Sequence, residues 1–502
     1  MRETGLQRPI IGGVAMRNME SRTPLVIALV LAVVGAGVAG ARQRPAPVAQ
    51  SDARELVKTE FVIKDVRVFD GDRVIRRTNV LVRDGSIMRV GSAAPAGVES
   101  IPGDGRTLLP GFIDAHTHAF GDALTRALMF GVTTELDMFT DHRFAAFMRA
   151  EQLKPDGALR RADLFSAGTL VTAPKGHGTE YGMAIPTLAA AAEAPGFVDA
   201  RIAEGSDYIK IIYDDGAALG LNFPTLDRDV LRAVIDAAKK RGKLAVVHIG
   251  SRQGAEDAIA AGASGLVHIF ADVAADAGFV RRVGTARAFV TPTLSVIEST
   301  TGVPSGASLV KDLRLEPFIN RQERTSLNGM FPKRASSKQD LGVALAATKL
   351  LHEAKVPILA GTDAPNPGTS HGSSLHREVE LLVRAGLSPE AALAAATSVP
   401  ARVFSLKDRG RVAPGLRADL VLVTGDPMRD ITATRDIVAI WKRGVRVDRP
   451  KAPTETAAAA AATTTGLANP RRVSRSFSMG WRSDRLCVRR GSTIRSRASS
   501  SR

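Results

Sequence analysis

The sequence predicts an α/β protein: a (β/α)8 TIM-type barrel with a small β-sandwich built from segments on both sides of it. Between residues 108 and 405, eight apolar strand-like runs alternate with helical stretches rich in Ala, Leu and Arg. Such alternation is typical of parallel barrels. Two further groups of short Val/Ile runs, at 60–107 and 406–450, surround this region. Because both groups carry hairpin signals, they predict one sandwich that uses both segments.

The first and last stretches of the chain predict segments outside the folded region. Residues 1–41 contain arginines, then the apolar run PLVIALVLAVVGAGVAGA, which ends in small residues. This order is typical of a secretory signal peptide and predicts an exported, periplasmic or secreted protein with no stable membrane insertion after cleavage. An uncleaved anchor is the alternative, since the run is near the minimum length of a span. Residues 42–59 are predicted to be a linker, and 451–502 a disordered basic tail.

The sandwich segments are predicted from short β-type runs separated by turn residues. In TNVLVRDGSIMRVG, an Asp-Gly pair stands between two apolar runs, which indicates a two-residue hairpin. Runs of the same kind return in RADLVLVTGD and DIVAIWKRGVRV.

The barrel strands are predicted from apolar runs bounded by polar or glycine residues. The stretches between them, such as 231–241 and 341–354, carry apolar residues at i, i+3 and i+4, which indicates amphipathic helices. In a barrel of this type, the carboxyl ends of the strands and the loops after them carry the chemistry. The eight predicted strands lie at 108–116, 133–138, 163–172, 208–213, 244–249, 265–270, 288–296 and 357–362.

The charge distribution argues against a nucleic-acid partner. The net charge is +17, but residues 471–502 alone contain ten arginines and one acidic residue. The folded middle therefore carries only a modest positive charge, and a small-molecule substrate is expected. The one cysteine, Cys487, lies in the tail, which excludes a disulfide framework and thiolate metal sites. The sequence is compatible with either a monomer or a homo-oligomer.

Two histidines, His116 and His118, lie two positions apart at the end of the first predicted barrel strand. Residues i and i+2 of a strand point to the same face, so both imidazoles can reach one metal ion. A pair of polar residues on a solvated strand face is the alternative.

Polar residues also interrupt the ends of four other predicted barrel strands. They are Lys210, His248, His268 and Asp363. Because the carboxyl ends of barrel strands share one mouth, these side chains are expected to lie together with the two histidines. Each residue taken singly has an ordinary explanation: a core histidine with its hydrogen bonds satisfied, a lysine that reaches the surface, or an aspartate that caps a helix. Their common position is better explained by metal ligation, because burying so many unpaired polar groups is costly.

The motif LLPGFIDAHTH, followed by this lysine, two histidines and aspartate, resembles the metal-dependent amidohydrolase superfamily. The later stretch ATSVPARVFSLKDRGRVAPGLRADLVLVTGDP is similar to the imidazolonepropionase-like and dipeptidase-like branches. The resemblance implies two divalent metal ions, with zinc the first choice and manganese an alternative. It implies that one ion is bound by His116, His118 and Asp363, and the other by His248 and His268. Lys210, carboxylated on its amine, would bridge them.

The resemblance implies hydrolysis of a C–N bond in an amide or cyclic amide by hydroxide held between the two ions. Asp363 is the catalytic residue expected to take the proton from that water and return it to the leaving amine. The alternatives are a mononuclear deaminase of a cyclic amidine, which has no use for Lys210, and a dipeptidase or lactonase of the same superfamily. A non-catalytic binding barrel is a further alternative, although it would not need these ligands.

Substrate contacts are expected on the loops that follow the strands. The candidates are His177, Tyr213 and His371, of which the two histidines resemble pocket residues of this branch. Relatives that cleave dipeptides often have a Ser/Gly-rich segment after the lysine strand. This chain has YDDGAALG there, which disfavours a peptidase.

Overall fold

The computed structural model describes residues 59–91 and 95–452. The predicted signal peptide at 1–41, residues 42–58 of the predicted linker and residues 453–502 of the predicted tail lie outside the described residues. Within the described ranges, no helix has both the length and the apolar character needed to cross a membrane.

The described chain is an α/β structure in which strands and helices alternate through the middle. In chain order, its strands are β1 (Glu60–Phe69), β2 (Val74–Arg83), β3 (Ser86–Gly91), β4 (Glu99–Pro102), β5 (Arg106–Pro110), β6 (Phe112–Thr117), β7 (Val132–Asp137), β8 (Asp163–Ser166), β9 (Ile209–Ile212), β10 (Ala245–His248), β11 (Gly265–Val267), β12 (Phe289–Thr291), β13 (Leu420–Thr424), β14 (Ile437–Lys442) and β15 (Val445–Arg446). Its α-helices are α1 (Ala123–Met129), α2 (His142–Gln152), α3 (Pro155–Arg160), α4 (Ala194–Ala203), α5 (Arg228–Lys240), α6 (Arg252–Ala260), α7 (Ala277–Ala286), α8 (Leu294–Thr300), α9 (Ala307–Val310), α10 (Arg321–Leu327), α11 (Leu341–Glu353), α12 (Ser373–Arg384), α13 (Pro389–Ala395) and α14 (Ser398–Val403). Short 3₁₀ turns lie at Ala191–Glu193, Ala217–Leu219, Glu316–Phe318 and Ile431–Arg435.

Eight strands from both ends of the described region form one mixed sheet, in the order β15-β14-β13-β5-β1-β2-β3 with β4 beside β1. The predicted Asp-Gly hairpin joins β2 to β3, where Asp84 and Gly85 both have positive φ angles, 48° and 77°. Two such residues match the right-handed twist of the strands that they connect. Phe61 and Trp441 stack at 5.4 Å between ring centroids, so the two ends of the described region share one core.

The middle of the chain forms two parallel sheets, β6-β7-β8 and β12-β11-β10-β9. Single parallel bridges extend the pairing beyond these named strands. They join Val171 to Ile211, Val290 to Ile358 and Thr117 to Ala364. The carboxyl ends of all these segments therefore face the same way, as the sequence pattern requires for a shared site.

Amphipathic helices cover the parallel strands, and α5 shows the pattern clearly. It buries Val230, Leu231, Val234 and Ile235, while Arg232 on the opposite face is exposed. The predicted helices at 231–241 and 341–354 are confirmed as α5 and α11 within a few residues. Their apolar faces join the large core that fills the space against the strands.

Five predicted strands differ from the structure. Run 163–172 ends as a strand at Ser166 and adds a single bridge at Val171, and run 265–270 ends at Val267. Run 108–116 is split at Gly111: β5 joins the mixed sheet, and β6 begins the parallel one. Run 288–296 ends as a strand at Thr291, because Thr293 takes a left-handed conformation with a φ of 51° and α8 begins after it. Run 357–362 contributes a single bridge at Ile358. In each case the apolar pattern of a strand continues along the sequence, but the pairing with a neighbouring strand ends earlier.

A buried ion cluster joins the mixed sheet to the amino end of β8. Lys442 is fully buried, and its Nζ lies 2.9 Å from Asp163 and 3.4 Å from Asp419. Arg409 and Arg417 also contact Asp163, at 2.7 and 2.6 Å. The cluster lies at the opposite end of β8 from the strand termini that carry the predicted ligands.

Candidate metal centre

Two histidines stand at the carboxyl end of β6. His116 is fully buried and His118 is mostly buried, with ring centroids 5.5 Å apart. The backbone N–H of His116 donates to Asp114 Oδ1 at 3.2 Å. His118 Nδ1 donates to the carbonyl of Phe139 at 3.2 Å. Because that proton occupies Nδ1, the lone pair of a neutral His118 is on Nε2.

Asp363 brings its carboxylate against both imidazoles. Its Oδ1 lies 2.9 Å from His118 Nε2 and 3.2 Å from His116 Nε2, and its Oδ2 lies 3.8 Å from His268 Nε2. The residue has a φ of 57°, a left-handed conformation that is costly outside glycine. Neighbouring Thr362 donates from its backbone and hydroxyl to Asp114, at 3.0 and 2.7 Å, which holds this turn against β6.

Lys210, on β9, is buried beside these groups. Its side chain is 1% exposed, and its Nζ lies 3.4 Å from His116 Nε2. Burial lowers the pKa of Lys210 to about 7, against the opposing effect of Asp363. A large part of the amine is therefore neutral near neutral pH, which is the form that reacts with carbon dioxide.

His248 and His268 complete the group from β10 and the end of β11. Their rings meet with His268 Nε2 3.2 Å from His248 Nδ1. The other nitrogen of each ring faces an oxygen: His268 Nδ1 contacts Thr293 Oγ1, and His248 Nε2 lies 3.5 Å from Asp214 Oδ2. Carboxylates and hydroxyls behind metal-binding histidines commonly fix the ring and its tautomer in this way.

The electrostatics of the group favour neutral imidazoles. Burial, together with neighbouring cationic groups, lowers the pKa of His116, His248 and His268 well below the usual histidine value. Burial raises the pKa of Asp363, but the imidazoles of His116 and His268 outweigh it and hold that pKa well below its usual range. Neutral histidines and an ionised aspartate are the forms that bind metals.

The donor set fits a divalent cation. Asp363 Oδ1 is buried without a hydrogen-bond donor and faces the Nε2 atoms of His116 and His118. The facing nitrogen and oxygen atoms of His116, His118 and Asp363 all lie within 4.8 Å of one another. Lone pairs that converge in a dry site are costly unless a cation lies between them. Imidazole and carboxylate donors suit zinc and similar borderline ions.

A small cavity of about 30 Å³ opens above this group. Five predicted ligands line it, and the additional wall residues include Leu170, Ile212, Tyr181, Asn366 and the predicted substrate residue His177. His177 Nδ1 is hydrogen-bonded to Glu180 at 2.5 Å, and its Nε2 lies 3.4 Å from the Tyr181 hydroxyl. Burial lowers the pKa of His177, but Glu180 outweighs it and leaves that pKa raised.

The structure places the two other predicted substrate residues away from this cavity. Tyr213 donates its hydroxyl to Asp257 at 3.1 Å, so its polar end turns toward α6. His371 is 7% exposed and pairs with the buried Glu135 at 2.9 Å. In each case a carboxylate outside the cavity takes the polar group: Asp257 for Tyr213 and the buried Glu135 for His371. Substrate contact by either residue stays a prediction.

Sequence reasoning missed residues that support the ligands. Asp214 and Thr293 face His248 and His268. Asp214 lies in the IIYDDG stretch, where a carboxylate directly after the lysine strand was the available signal. Thr293 carries no comparable local signal, since its direction depends on contacts made across the fold.

Parallel strands that present histidines, a carboxylate and a buried lysine at their carboxyl ends define a class of metal-dependent hydrolytic enzymes. The chain belongs to the amidohydrolase family, whose sequence model matches residues 107–450. Within it, the chain falls in the imidazolonepropionase-like and dipeptidase-like branch and is a hydrolase that acts on C–N bonds.

Individual relatives agree with this assignment. The imidazolonepropionase of Deinococcus radiodurans is 28% identical over 380 residues, which cover 72% of this chain and 89% of that protein. The imidazolonepropionase of Deinococcus deserti matches more locally, at 37% identity over 111 residues, or 21% of this chain and 28% of that protein. A solved Xaa-Pro dipeptidase with methionine in its active site superposes with a TM-score of 0.62 at 21% identity, covering 78% of this chain and 100% of that one. This last likeness shows a shared TIM-barrel-type α/β fold.

Proposed function

We propose that the protein hydrolyses a C–N bond of a small amide or cyclic amide at a binuclear metal centre. His116, His118 and Asp363 would hold one ion, His248 and His268 the other, and a carboxylated Lys210 would bridge them. The observation that carries the proposal is the position of Asp363, whose two carboxylate oxygens lie 2.9 to 3.8 Å from three imidazole nitrogens.

The proposal includes the closure of the parallel strands into a barrel, with the mixed sheet as the sandwich. Three single bridges support closure, because they connect the two parallel sheets through residues 171, 358 and 364. A closed ring would bring the carboxyl ends of β6, β9, β10 and β11 to one mouth. The mixed sheet supports a sandwich, because it pairs β1–β5 with β13–β15.

The residues have separable tasks in this reaction. Divalent ions bound here would acidify a water molecule and polarise the substrate carbonyl. Asp363 receives the proton of the attacking water on its carboxylate and returns it to the leaving nitrogen. His177 and Tyr181 present polar atoms from one wall of the cavity and orient the substrate, while Leu170 and Ile212 exclude water from another.

A cyclic or otherwise compact amide is the proposed substrate. The cavity above the ligands, about 30 Å³, is well below the usual volume of ligand sites, which favours a compact substrate. The relative from D. radiodurans named imidazolonepropionase, aligned over most of both chains, supports the same choice.

The test combines metal analysis with a hydrolysis screen on the purified chain. We expect two ions per chain and turnover of cyclic amides ahead of dipeptides, lactones and amidines. Asp363→Asn is expected to lower kcat by ~10²–10⁴-fold. Asp215→Asn is the matched control, since Asp215 is an exposed loop residue that only caps the turn at Ala217. Equal rates in the two variants would refute the assignment of Asp363.

A mononuclear deaminase is the competing function, and Lys210 distinguishes it. Release of ammonia from amidines alone, with one ion in both the wild type and Lys210→Ala, would establish that alternative. The buried lysine against His116 favours the binuclear site, because a single-ion site offers this amine no ligand role.

Export of the protein is proposed on sequence grounds alone. The basic, apolar and small-residue order within residues 1–41 supports a cleaved signal peptide. Mass spectrometry of protein expressed with its leader would show a mature amino terminus near Arg42, whereas an intact apolar run would indicate an anchor.

A further inference from the structure

The hydroxyl of Thr293 determines which nitrogen of His268 carries a proton. Thr293 is fully buried, and its Oγ1 donates its one hydrogen to the carbonyl of Pro292 at 2.8 Å. The same oxygen contacts His268 Nδ1. We assign the hydroxyl hydrogen to this carbonyl, so that Thr293 accepts from the ring and Nδ1 holds the proton. The lone pair of His268 then lies on Nε2, the atom that faces His248 and Asp363.

Thr293 occupies a conformation that needs outside support. Its φ and ψ angles are 51° and 48°, and a β-branched residue rarely adopts this left-handed region. Such strain persists only where surrounding contacts maintain it. The support is expected to act on the backbone amides immediately after Thr293, where α8 begins.

Glu378 provides that support from α12. It is fully buried, and its two carboxylate oxygens accept from the backbone N–H groups of Leu294 at 2.9 Å and Ser295 at 2.8 Å. Each oxygen therefore holds one of the first two amides of α8. A buried carboxylate is costly, and here it is satisfied mainly by the backbone of one turn.

We propose that Glu378 is a positioning residue for the metal centre: it holds the Thr293 turn, through which His268 is kept in the tautomer that ligates with Nε2. The inference rests on the proposed role of His268 as a metal ligand. Glu378 itself touches neither the predicted ligands nor the cavity. Its effect reaches His268 through the turn at Thr293, which makes the two positions testable as one unit. A longer route leads from Ser295, whose hydroxyl donates to the carbonyl of Thr362 at 3.4 Å, to Asp363.

The experiment measures zinc retention by the full-length chain. Protein loaded with zinc is mixed with a chromogenic chelator, and the release rate and stoichiometry are recorded for each variant. His268→Ala identifies the zinc that His268 holds. Thr293→Val removes the hydroxyl but keeps the shape, whereas Thr293→Ser keeps the hydroxyl. Glu378→Gln keeps the size but places an amide NH₂ where one backbone N–H requires an acceptor.

The control is Glu298→Gln, which makes the same change at a buried acid on α8 itself. The carboxylate of Glu298 pairs with Arg377, Arg384 and Ser305, and none of these contacts is to Thr293 or His268. We expect Thr293→Val and Glu378→Gln to weaken retention of the His268-dependent zinc ~10–100-fold, the usual effect of losing such a supporting contact. Thr293→Ser and Glu298→Gln should retain zinc as the wild type does. Thermal melting of each variant separates this effect from a general loss of stability.

The outcomes separate this inference from the proposed function. If His268→Ala binds as much zinc as the wild type, the proposed ligand role of His268 fails. If His268→Ala loses one zinc while Glu378→Gln and Thr293→Val retain it with wild-type release rates, the positioning role alone is overturned. Equal zinc loss in Glu298→Gln and Glu378→Gln would also overturn it, because the effect would then not depend on the Thr293 turn.

Discussion

Carbon dioxide should control the second metal ion through Lys210. The perturbation is to remove zinc with a chelator and rebuild the site in carbon dioxide-free buffer at pH 7.5, with or without added bicarbonate. Without a carbamate, one ion still has His116, His118 and Asp363, but the other has only two histidines. We therefore expect about one zinc per chain without bicarbonate and about two with it.

The magnitude follows from the burial of the amine. A lysine with a pKa of 10.5 is only ~0.1% neutral at pH 7.5, whereas a pKa of about 7 makes ~75% of the amine neutral. Burial thus raises the neutral fraction of the amine by nearly three orders of magnitude, and we expect carboxylation to occur without a helper enzyme. At a constant zinc concentration, the number of zinc ions bound per chain should rise with the bicarbonate concentration.

The assay is elemental analysis of the rebuilt protein, with ¹³C NMR after labelled bicarbonate to detect the carbamate. Lys210→Met keeps the length of the side chain and should bind one zinc whether or not bicarbonate is present. Two zinc ions in the Met variant, or full rebuilding of the wild type without carbon dioxide, would refute the bridging role.

Three further predictions test the cavity, the buried ion cluster and a buried histidine. Tyr181→Phe should lower kcat/KM, whereas Tyr213→Phe should leave it unchanged, because of these two tyrosines only Tyr181 lines the cavity. Steady-state kinetics with the reverse order would contradict this expectation. Lys442→Met should lower the free energy of unfolding in urea by ~1–3 kcal/mol, because Asp163 and Asp419 lose their lysine but keep arginine partners. No measurable loss would show that the arginines suffice. In the folded protein, burial chiefly lowers the pKa of His376 from 6.5 to about 3. As the pH falls, the unfolded chain therefore takes up this proton before the folded one. The free energy of unfolding of the wild type should fall by ~1.4 kcal/mol per pH unit between about pH 6 and pH 3. The stability advantage of the wild type over His376→Gln should shrink accordingly in melts from pH 7 to pH 5, and a constant difference would contradict the shift.

Local signals in the sequence were sufficient to predict the alternation of strands and helices and the polar residues at the strand ends. A buried parallel strand is a continuous apolar run, so a histidine or lysine at its end is conspicuous. The structure brings all six predicted ligands into one group around Asp363, although their roles as ligands remain a proposal. The Asp-Gly turn at residues 84 and 85 was equally readable, because its conformation depends on those two residues alone.

Contacts between distant parts of the chain decided the rest. His371 and Tyr213 stand on the expected loops, yet a carboxylate at Glu135 or Asp257 turns each of them away from the cavity. The split of run 108–116 depends on β13, which draws β5 into the mixed sheet. The support of His268 by Thr293 and Glu378 depends on a turn and a helix far apart in sequence. The sequence by itself determined which residue types stand at the strand ends, because a polar residue at the end of an apolar run is visible in that run. Tertiary structure alone decided where side chains point and what holds them, because each direction depends on a partner that local sequence does not identify.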